Sequence, residues 1–190
     1  MAPGFTLIEL LFVLSLTAIL GGIAVPMSTA ALDDIQTAAA ARYLAGKVLN
    51  GRMEALKRAS TVALRFEPAG SDYVFAAFLD GNDNGIRTAD IRSGIDTPLG
   101  GVERLSDNFR GVRFGLRPDL PDADGIRGRS TDGVRIGLAR LLSTTAEGTA
   151  TSGTLYVAGR RAQYAVRVLG ATGRTRVLKF DPGTGTWLSR

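Results

Sequence analysis

The chain has 190 residues, a formal net charge of +5, and neither cysteine nor histidine. This composition excludes a disulfide, a thiolate nucleophile, a zinc site built on Cys or His, and a Ser-His-Asp triad. Carboxylate or lysine chemistry and metals with oxygen ligands remain, and the length fits one domain with a modest core.

A long uncharged segment lies near the start of the chain. No charged residue occurs from Leu10 to Leu32, and the segment is rich in Leu, Ile, Val and Ala. About 20 apolar residues span a bilayer, so we predict a transmembrane segment at about 7–27. The alternative is a cleaved secretory signal peptide, which would have a basic start. The first four residues, MAPG, contain no Lys or Arg.

Glu9 lies at the start of this apolar segment. An unpaired carboxylate within a membrane costs about 2.5–3.5 kcal/mol on insertion scales, so we expect Glu9 to have a partner. Cleavage between Gly4 and Phe5 would create an α-amino group, which could supply a positive charge at a similar depth in a neighbouring subunit. The alternative is that Glu9 lies in the headgroup region without a partner.

The sequence GFTLIE at 4–9, followed by the apolar segment, resembles the type IV prepilin signature. Type IV pilins and type II secretion pseudopilins share this processing motif. The resemblance implies a leader at 1–4, cleavage after Gly4 by a prepilin peptidase, N-methylation of Phe5, and use of Glu9 in docking into a helical filament. The usual leader of the family carries Lys or Arg, and this leader has neither.

The helix is predicted to continue beyond the bilayer, over 5–59 in all. Pro26 lies where many pilin helices bend, since a proline removes one backbone hydrogen bond from a helix. The next residues repeat apolar or small side chains mostly at helical spacing: Ile35, Ala39, Tyr43, Leu44, Val48, Gly51 and Ala55. We expect this stripe to pack on a globular head. The alternative is a membrane anchor followed by an amphipathic spacer.

The pattern changes at Thr61, where apolar residues begin to alternate with polar ones. Segments 61–67 and 73–79 form a predicted hairpin around a Pro/Gly/Ser/Asp turn. Further strands are predicted at 112–116, 134–138, 155–158, 164–169 and 174–180. The chain is therefore predicted to be an α+β protein, in which the long N-terminal helix packs against one sheet of an antiparallel β-rich head at 60–190.

The order of long helix, hairpin, acidic Asn-Gly loop and closing strands resembles the GspH/FimT family of minor pseudopilins and minor pilins. The closing strands include GTLYV at 153–157 and TGRTRV at 172–177. The resemblance implies a type IV pilin-like fold, a single pass through the bacterial inner membrane, a periplasmic head, and incorporation into a pseudopilus or pilus.

The same resemblance implies which proteins act with this chain. Its partners would be other pseudopilins or minor pilins, the prepilin peptidase that also methylates, and the inner-membrane assembly platform. The chain would be a substrate of enzymes and not an enzyme. Two functions fit: a minor pseudopilin that initiates or caps the pseudopilus of a type II secretion system, or a FimT/FimU-like minor pilin in pilus assembly or DNA uptake.

The acidic loop at 80–90 offers oxygen ligands at alternate positions, as a calcium loop does. The candidate ligands are Asp80, Asn82, Asn84 and Asp90. The spacing departs from an EF-hand, because the twelfth position is Ile91 and no helix is expected before the loop. Asn-Gly and Asp-Gly also favour a turn without a metal. Weak calcium binding and a metal-free turn both remain open, and no other cofactor is expected.

The C-terminal region at 151–190 carries seven basic residues against one acidic residue, a net charge of +6. On a strand, Arg174 and Arg176 would point to the same face, and a turn with Arg160 and Arg161 could extend this basic surface. The surface would suit DNA phosphates or an acidic protein. The GRTR segment resembles the basic motif of FimT-like minor pilins that bind DNA. The alternative is an ordinary solvated face.

Overall fold

The computed structural model describes residues 4–128 and 130–190, with the backbone alone for 23–26. One long helix, α1 (Leu7–Arg58), precedes the strands and short helices of a C-terminal head. The head elements are β1 (Val62–Ala69), β2 (Asp72–Leu79), α2 (Thr88–Ser93), β3 (Thr97–Pro98), β4 (Glu103–Arg104), α3 (Leu105–Asn108), β5 (Arg113–Phe114), β6 (Val134–Arg135), β7 (Leu141–Thr144), β8 (Gly153–Ala158), β9 (Gln163–Leu169), β10 (Arg174–Asp181) and β11 (Thr186–Ser189).

Both ends of α1 are capped. Thr6 is the N-cap, and it forms a reciprocal capping box with Glu9. At the other end Ala59 adopts a left-handed conformation with φ 50°, and its N–H bonds the carbonyls of the preceding turn. Lys57 and Arg58 in the last turn suit the negative end of the helix dipole. At 1.5 Å per residue α1 is about 78 Å long.

The strands form two antiparallel sheets. In the first sheet the order is β3-β2-β1-β7, and β4 also pairs with β2. In the second sheet the order is β11-β10-β9-β8-β5, and β6 also pairs with β8. The first sheet contains the predicted hairpin, with Phe66 opposite Phe75. The predicted α+β order of a long helix followed by an antiparallel head is confirmed.

The main core lies between α1 and both sheets. Leu44 and Val48 of α1 are at most 2% exposed, and they belong to the same cluster as Phe66 of the first sheet and Val157 and Val166 of the second. The prediction that the helix packs against one sheet is therefore wrong. Because the two sheets converge on α1, this helix closes the core between them.

The predicted stripe on α1 is wrong at its first position, since Ile35 is 61% exposed. The buried face begins at Thr37 and includes Ala38, Ala40 and Ala41. These small side chains allow the helix backbone to lie close to the strands. A run of alanines has no clear hydrophobic period, so the sequence pattern does not indicate which of them face the core.

A second, smaller cluster lies on the other face of the second sheet. Tyr156, Ala165 and Phe180 are buried there, and Trp187 packs against them. The Trp187 indole N–H donates to the carbonyl of Pro121 at 3.1 Å. This contact holds the loop between β5 and β6 against the sheet.

Candidate functional site

The N-terminal segment presents its apolar side chains to the surroundings. Phe5 is 93% exposed, and the large apolar residues of the first turns of α1 are exposed too. The Glu9 carboxylate accepts hydrogen bonds from the Thr6 backbone N–H and hydroxyl, both at 2.8 Å. Glu9 therefore has a partner within its own chain. The predicted contact with a neighbouring subunit's amino group stays a prediction.

Among the described residues, α1 is the one helix long and apolar enough by length and composition to cross a membrane. Its N-terminal part is strongly apolar, and its side chains over residues 7–22 are exposed. Pro26 lies within α1, but its side chain lies outside those that the structure describes. The predicted bend at Pro26 stays a prediction.

Asp33 joins α1 to the turn between β8 and β9. Its carboxylate accepts three backbone N–H groups, from Arg160 at 2.7 Å, Arg161 at 2.8 Å and Ala162 at 2.9 Å. Burial alone would raise the pKa of Asp33, but these hydrogen bonds outweigh it and the pKa is lowered. Gly159 permits the approach, because a Cβ there would lie 2.6 Å from Asp33 Oδ1.

Asp34 makes a second contact between α1 and the same sheet. It accepts the Tyr164 hydroxyl of β9 at 3.0 Å and the Lys179 ammonium of β10 at 2.8 Å. The hydrogen bond to Asp34 raises the pKa of Lys179. Burial, and then the hydrogen bond to Asp34, raise the pKa of Tyr164. The ammonium therefore stays charged and the phenol stays neutral at pH 7.

A third polar contact joins α1 to the first sheet. Glu103 of β4 binds Lys47 at 2.5 Å and also accepts the Tyr43 hydroxyl. Burial raises the pKa of Glu103, but the bonds from Lys47 and Tyr43 outweigh it and lower the pKa overall. Both sheets are therefore tied to α1 by charged groups as well as by the core.

Sequence reasoning did not identify Asp33, Asp34 and Glu103 as contacts between helix and head. The signal for the first two is their position, since they are the first charges after the uncharged segment that begins at Leu10. The capping role of Thr6 was missed as well, although Thr6 and Glu9 fit the Thr-x-x-Glu pattern of a capping box.

The four predicted basic residues do not form one surface. Arg160 and Arg161 lie in the turn before β9, beside Asp33, whereas Arg174 pairs with Leu169 at the far end of β9. The two pairs are about 25 Å apart along the strand, at about 3.4 Å per residue. The prediction of a continuous basic stripe is therefore wrong. All four side chains are exposed, so each pair could still bind a separate partner.

A cavity of about 740 Å³ lies on the outer face of the second sheet. Three arginines among the described residues line it, and each pairs with an aspartate: Arg135 with Asp122 at 2.9 Å, Arg140 with Asp132 at 3.2 Å, and Arg167 with Asp124 at 2.5 Å. Because these charges balance one another, the described lining of this cavity does not favour a charged ligand.

The predicted calcium loop is held by hydrogen bonds of its own. The Asp80 carboxylate accepts the backbone N–H of Asn82 at 3.2 Å and of Gly85 at 2.7 Å. The Asn82 side chain accepts the N–H of Asn84 at 3.4 Å, whereas Asp90 lies in α2. In the described part of the chain, no group of three or more Asp or Glu side chains is arranged to hold a metal ion. Calcium binding by these four residues stays a prediction.

The family model of the prokaryotic N-terminal methylation motif matches the chain at residues 2–25. No curated protein and no solved structure matches. The motif and the architecture together support a type IV pilin-like protein with an α+β fold. The motif implies processing by a prepilin peptidase and assembly with other pilins in general, and with the apolar helix it fits a single-pass inner-membrane protein.

Proposed function

We propose that this chain is a minor pseudopilin of a type II secretion system. After cleavage behind Gly4 and methylation of Phe5, α1 would join the helical bundle of the pseudopilus, and the periplasmic head would contact other pseudopilins. The subunit would initiate or cap the pseudopilus at the inner-membrane assembly platform and so support protein export across the outer membrane. In this role the chain is a substrate of enzymes and performs no catalysis itself.

The observation that carries this proposal is the division of α1 into two halves. Over residues 7–22 the helix exposes apolar side chains around its whole circumference, with Leu7, Ile8 and Phe12 each more than two thirds exposed. The C-terminal half buries Leu44 and Val48 against the head. Because α1 is continuous, it fixes the orientation of the head relative to the apolar segment. That segment needs lipid or other helices around it.

The first test is the extracellular protein profile of a strain that lacks this chain, beside its complemented parent. The proposal expects exported proteins to accumulate in the periplasm of the deletion strain and to return to the medium on complementation. An unchanged profile would contradict the secretion role and would favour a role in pilus assembly.

Glu9→Ala tests the assembly role of the N-terminal segment. We expect processing to remain largely intact, whereas recovery with partner pseudopilins in a pull-down is lost, because the carboxylate no longer meets a neighbouring amino group. Ser15→Ala, on the same half of α1, is the matched control and should assemble normally. Recovery of the Glu9 variant at the wild-type level would exclude the docking role.

The second candidate is a FimT/FimU-like minor pilin that acts in pilus assembly or DNA uptake. The observation in its favour is that Arg174 and Arg176 are exposed on β10 and, among the described residues, form no ion pair. We expect the full chain in neutral detergent to shift duplex DNA in a salt-dependent way, and Arg174→Ala with Arg176→Ala to weaken this binding. Equal binding by the double variant would exclude these arginines as the DNA site.

A further inference from the structure

A basic groove lies between the head and α1, close to the apolar segment. Its volume is about 800 Å³, and Ala30 of α1 forms part of its wall. Arg117, Arg127, Arg161 and Lys179 supply the positive charges of the groove, and Asp34 and Asp119 supply the negative charges. Among the described residues that line the groove, four cations against two carboxylates leave a net charge of +2.

The excess positive charge of the groove comes from the cations that form no ion pair. Asp119 pairs with Arg117 at 2.7 Å, and Asp34 pairs with Lys179 at 2.8 Å. Arg127 and Arg161 form no ion pair with any described residue, and both are exposed, although the Arg127 guanidinium donates to the Asp119 backbone carbonyl at 3.3 Å. Arg160, next to Arg161 in the same turn, is exposed as well. Unlike the cavity on the outer face of the second sheet, this groove is therefore not neutralised by its own carboxylates.

The position of the groove relative to the bilayer follows from distances along α1. If the apolar segment ends at about residue 27, Ala30 lies about 4.5 Å further along the helix and Asp33 about 9 Å further. Each headgroup layer of a bilayer is about 5–7 Å thick. Asp33 fixes the Arg160 and Arg161 backbone at its own level, so the backbone of these arginines lies just outside the headgroup layer.

The other end of the head lies far from the membrane. The turn between β9 and β10 approaches the C-terminal part of α1, where a Cβ on Gly173 would lie 3.5 Å from Arg52 Cδ. Arg174 and Arg176 follow this turn. Arg160 and Arg161 therefore lie near the bilayer, whereas Arg174 and Arg176 lie far from it. Each pair can serve as a control for the other.

We propose that Arg127, Arg160 and Arg161 bind the phosphate groups of anionic phospholipids at the membrane surface. The phosphates would enter the groove beside Ala30 and neutralise these arginines, which form no ion pair with any described residue. This contact would hold the head against the bilayer before the subunit leaves the membrane. The proposal depends on insertion of α1 into a membrane and not on which assembly the subunit joins.

The test measures lipid binding by the full chain in neutral detergent micelles. A phosphatidylglycerol labelled on its acyl chain is titrated while its fluorescence anisotropy is followed, and a phosphatidylcholine with the same label is the neutral probe. Each arginine close to an anionic surface contributes about fivefold to affinity, so Arg160→Gln with Arg161→Gln should weaken phosphatidylglycerol binding by about 25-fold. The matched control, Arg174→Gln with Arg176→Gln, should bind like the wild type.

We expect phosphatidylglycerol to bind more tightly than phosphatidylcholine, and added salt to reduce this preference. If Arg160→Gln with Arg161→Gln lowers the melting temperature of the head, Arg127→Gln with Arg161→Gln provides the same charge change at a different backbone position. Three results would each overturn the proposal. These are unchanged affinity for phosphatidylglycerol in the double variant that folds, an equal loss of affinity in the control pair, and equal affinity for both lipids. Displacement of the probe by millimolar inorganic phosphate would assign the groove to free phosphate, and displacement by duplex DNA would assign it to nucleic acid.

Discussion

The Asp33 carboxylate accepts three backbone N–H groups from one turn, so this side chain connects α1 to the turn between β8 and β9. We expect Asp33→Asn to lower the free energy of unfolding of the head by about 1–3 kcal/mol, because an amide oxygen replaces a charged acceptor. Unfolding of the full chain in urea can be followed by the fluorescence of Trp187, the single tryptophan. Asp107→Asn, at an exposed position, should change the stability by less than about 0.5 kcal/mol. Equal stability of the two variants would contradict this role.

The same carboxylate predicts a dependence on pH. The pKa of Asp33 is lower in the folded protein than its usual value, because the backbone hydrogen bonds outweigh the effect of burial. Its contribution to stability is therefore complete above the unfolded-state pKa of about 3.9 and is lost as the pH falls through the lower folded-state pKa. Urea titrations between neutral and acidic pH should show the wild type approaching Asp33→Asn as the pH falls. A difference in stability that stays constant down to acidic pH would contradict this explanation.

For single residues, the sequence shows which side chains are charged but not which groups they contact in the folded chain. The charges at Asp33 and Asp34 are visible directly after the uncharged segment, but the groups that Asp33 binds are 127 to 129 residues further along the chain. A contact over that distance depends on the order of the strands, which local patterns do not specify. Glu9 is the opposite case, since its partner Thr6 is three residues away and fits a local capping pattern.

At the scale of elements, the turn between β8 and β9 lies close against α1 at Gly159. A Cβ at this position would lie 2.2 Å from Thr37 Oγ1, closer than atoms can approach without a shift. We expect Gly159→Ala to force the turn away from α1 and to destabilise the head by about 1–3 kcal/mol in urea unfolding. Gly100→Ala is the matched control, since its Cβ would meet nothing within 4 Å. If both variants unfold at the same urea concentration, the turn can move without cost.

The elements differ in how well the sequence predicts them. The long helix and the hairpin of β1 and β2 follow from patterns that extend over seven or more residues. By contrast β3, β4, β5 and β6 have two residues each, which is too short for any period to appear. β7 (Leu141–Thr144) lies outside every strand that the sequence predicts. Its position is set by pairing with β1, and this pairing joins residues far apart in the chain.

In the whole molecule, α1 belongs to two environments. Its N-terminal half exposes apolar surface, whereas Ala40, Ala41, Leu44 and Ala55 of its other half have no exposed surface. The head therefore lacks part of its core unless α1 is present. The helical stripe predicts that α1 packs on a head, but it does not predict that both sheets share the helix. The part of the chain that folds as one unit therefore includes the C-terminal half of α1, and it begins within this helix and not at its end.

This division predicts where the chain can be shortened. A chain of residues 30–190 should be soluble and should melt cooperatively, because it keeps Asp33 and the whole buried face of α1. A chain of residues 60–190 should not melt cooperatively, since the two sheets would then expose the core that α1 covers. Circular dichroism during heating distinguishes these outcomes. A cooperative transition in the shorter chain would show that the head does not depend on α1.

Single substitutions in the chain of residues 30–190 test the same division without removing the helix. Leu44→Ala should lower the free energy of unfolding by about 2–5 kcal/mol, because Leu44 is fully buried between the sheets and the change leaves a cavity. Leu49→Ala is the matched control, since Leu49 is 54% exposed and the change should cost less than about 0.5 kcal/mol. Urea unfolding followed by Trp187 fluorescence measures both. Similar losses at the two positions would mean that the face of α1 toward Leu44 does not form the core of the head.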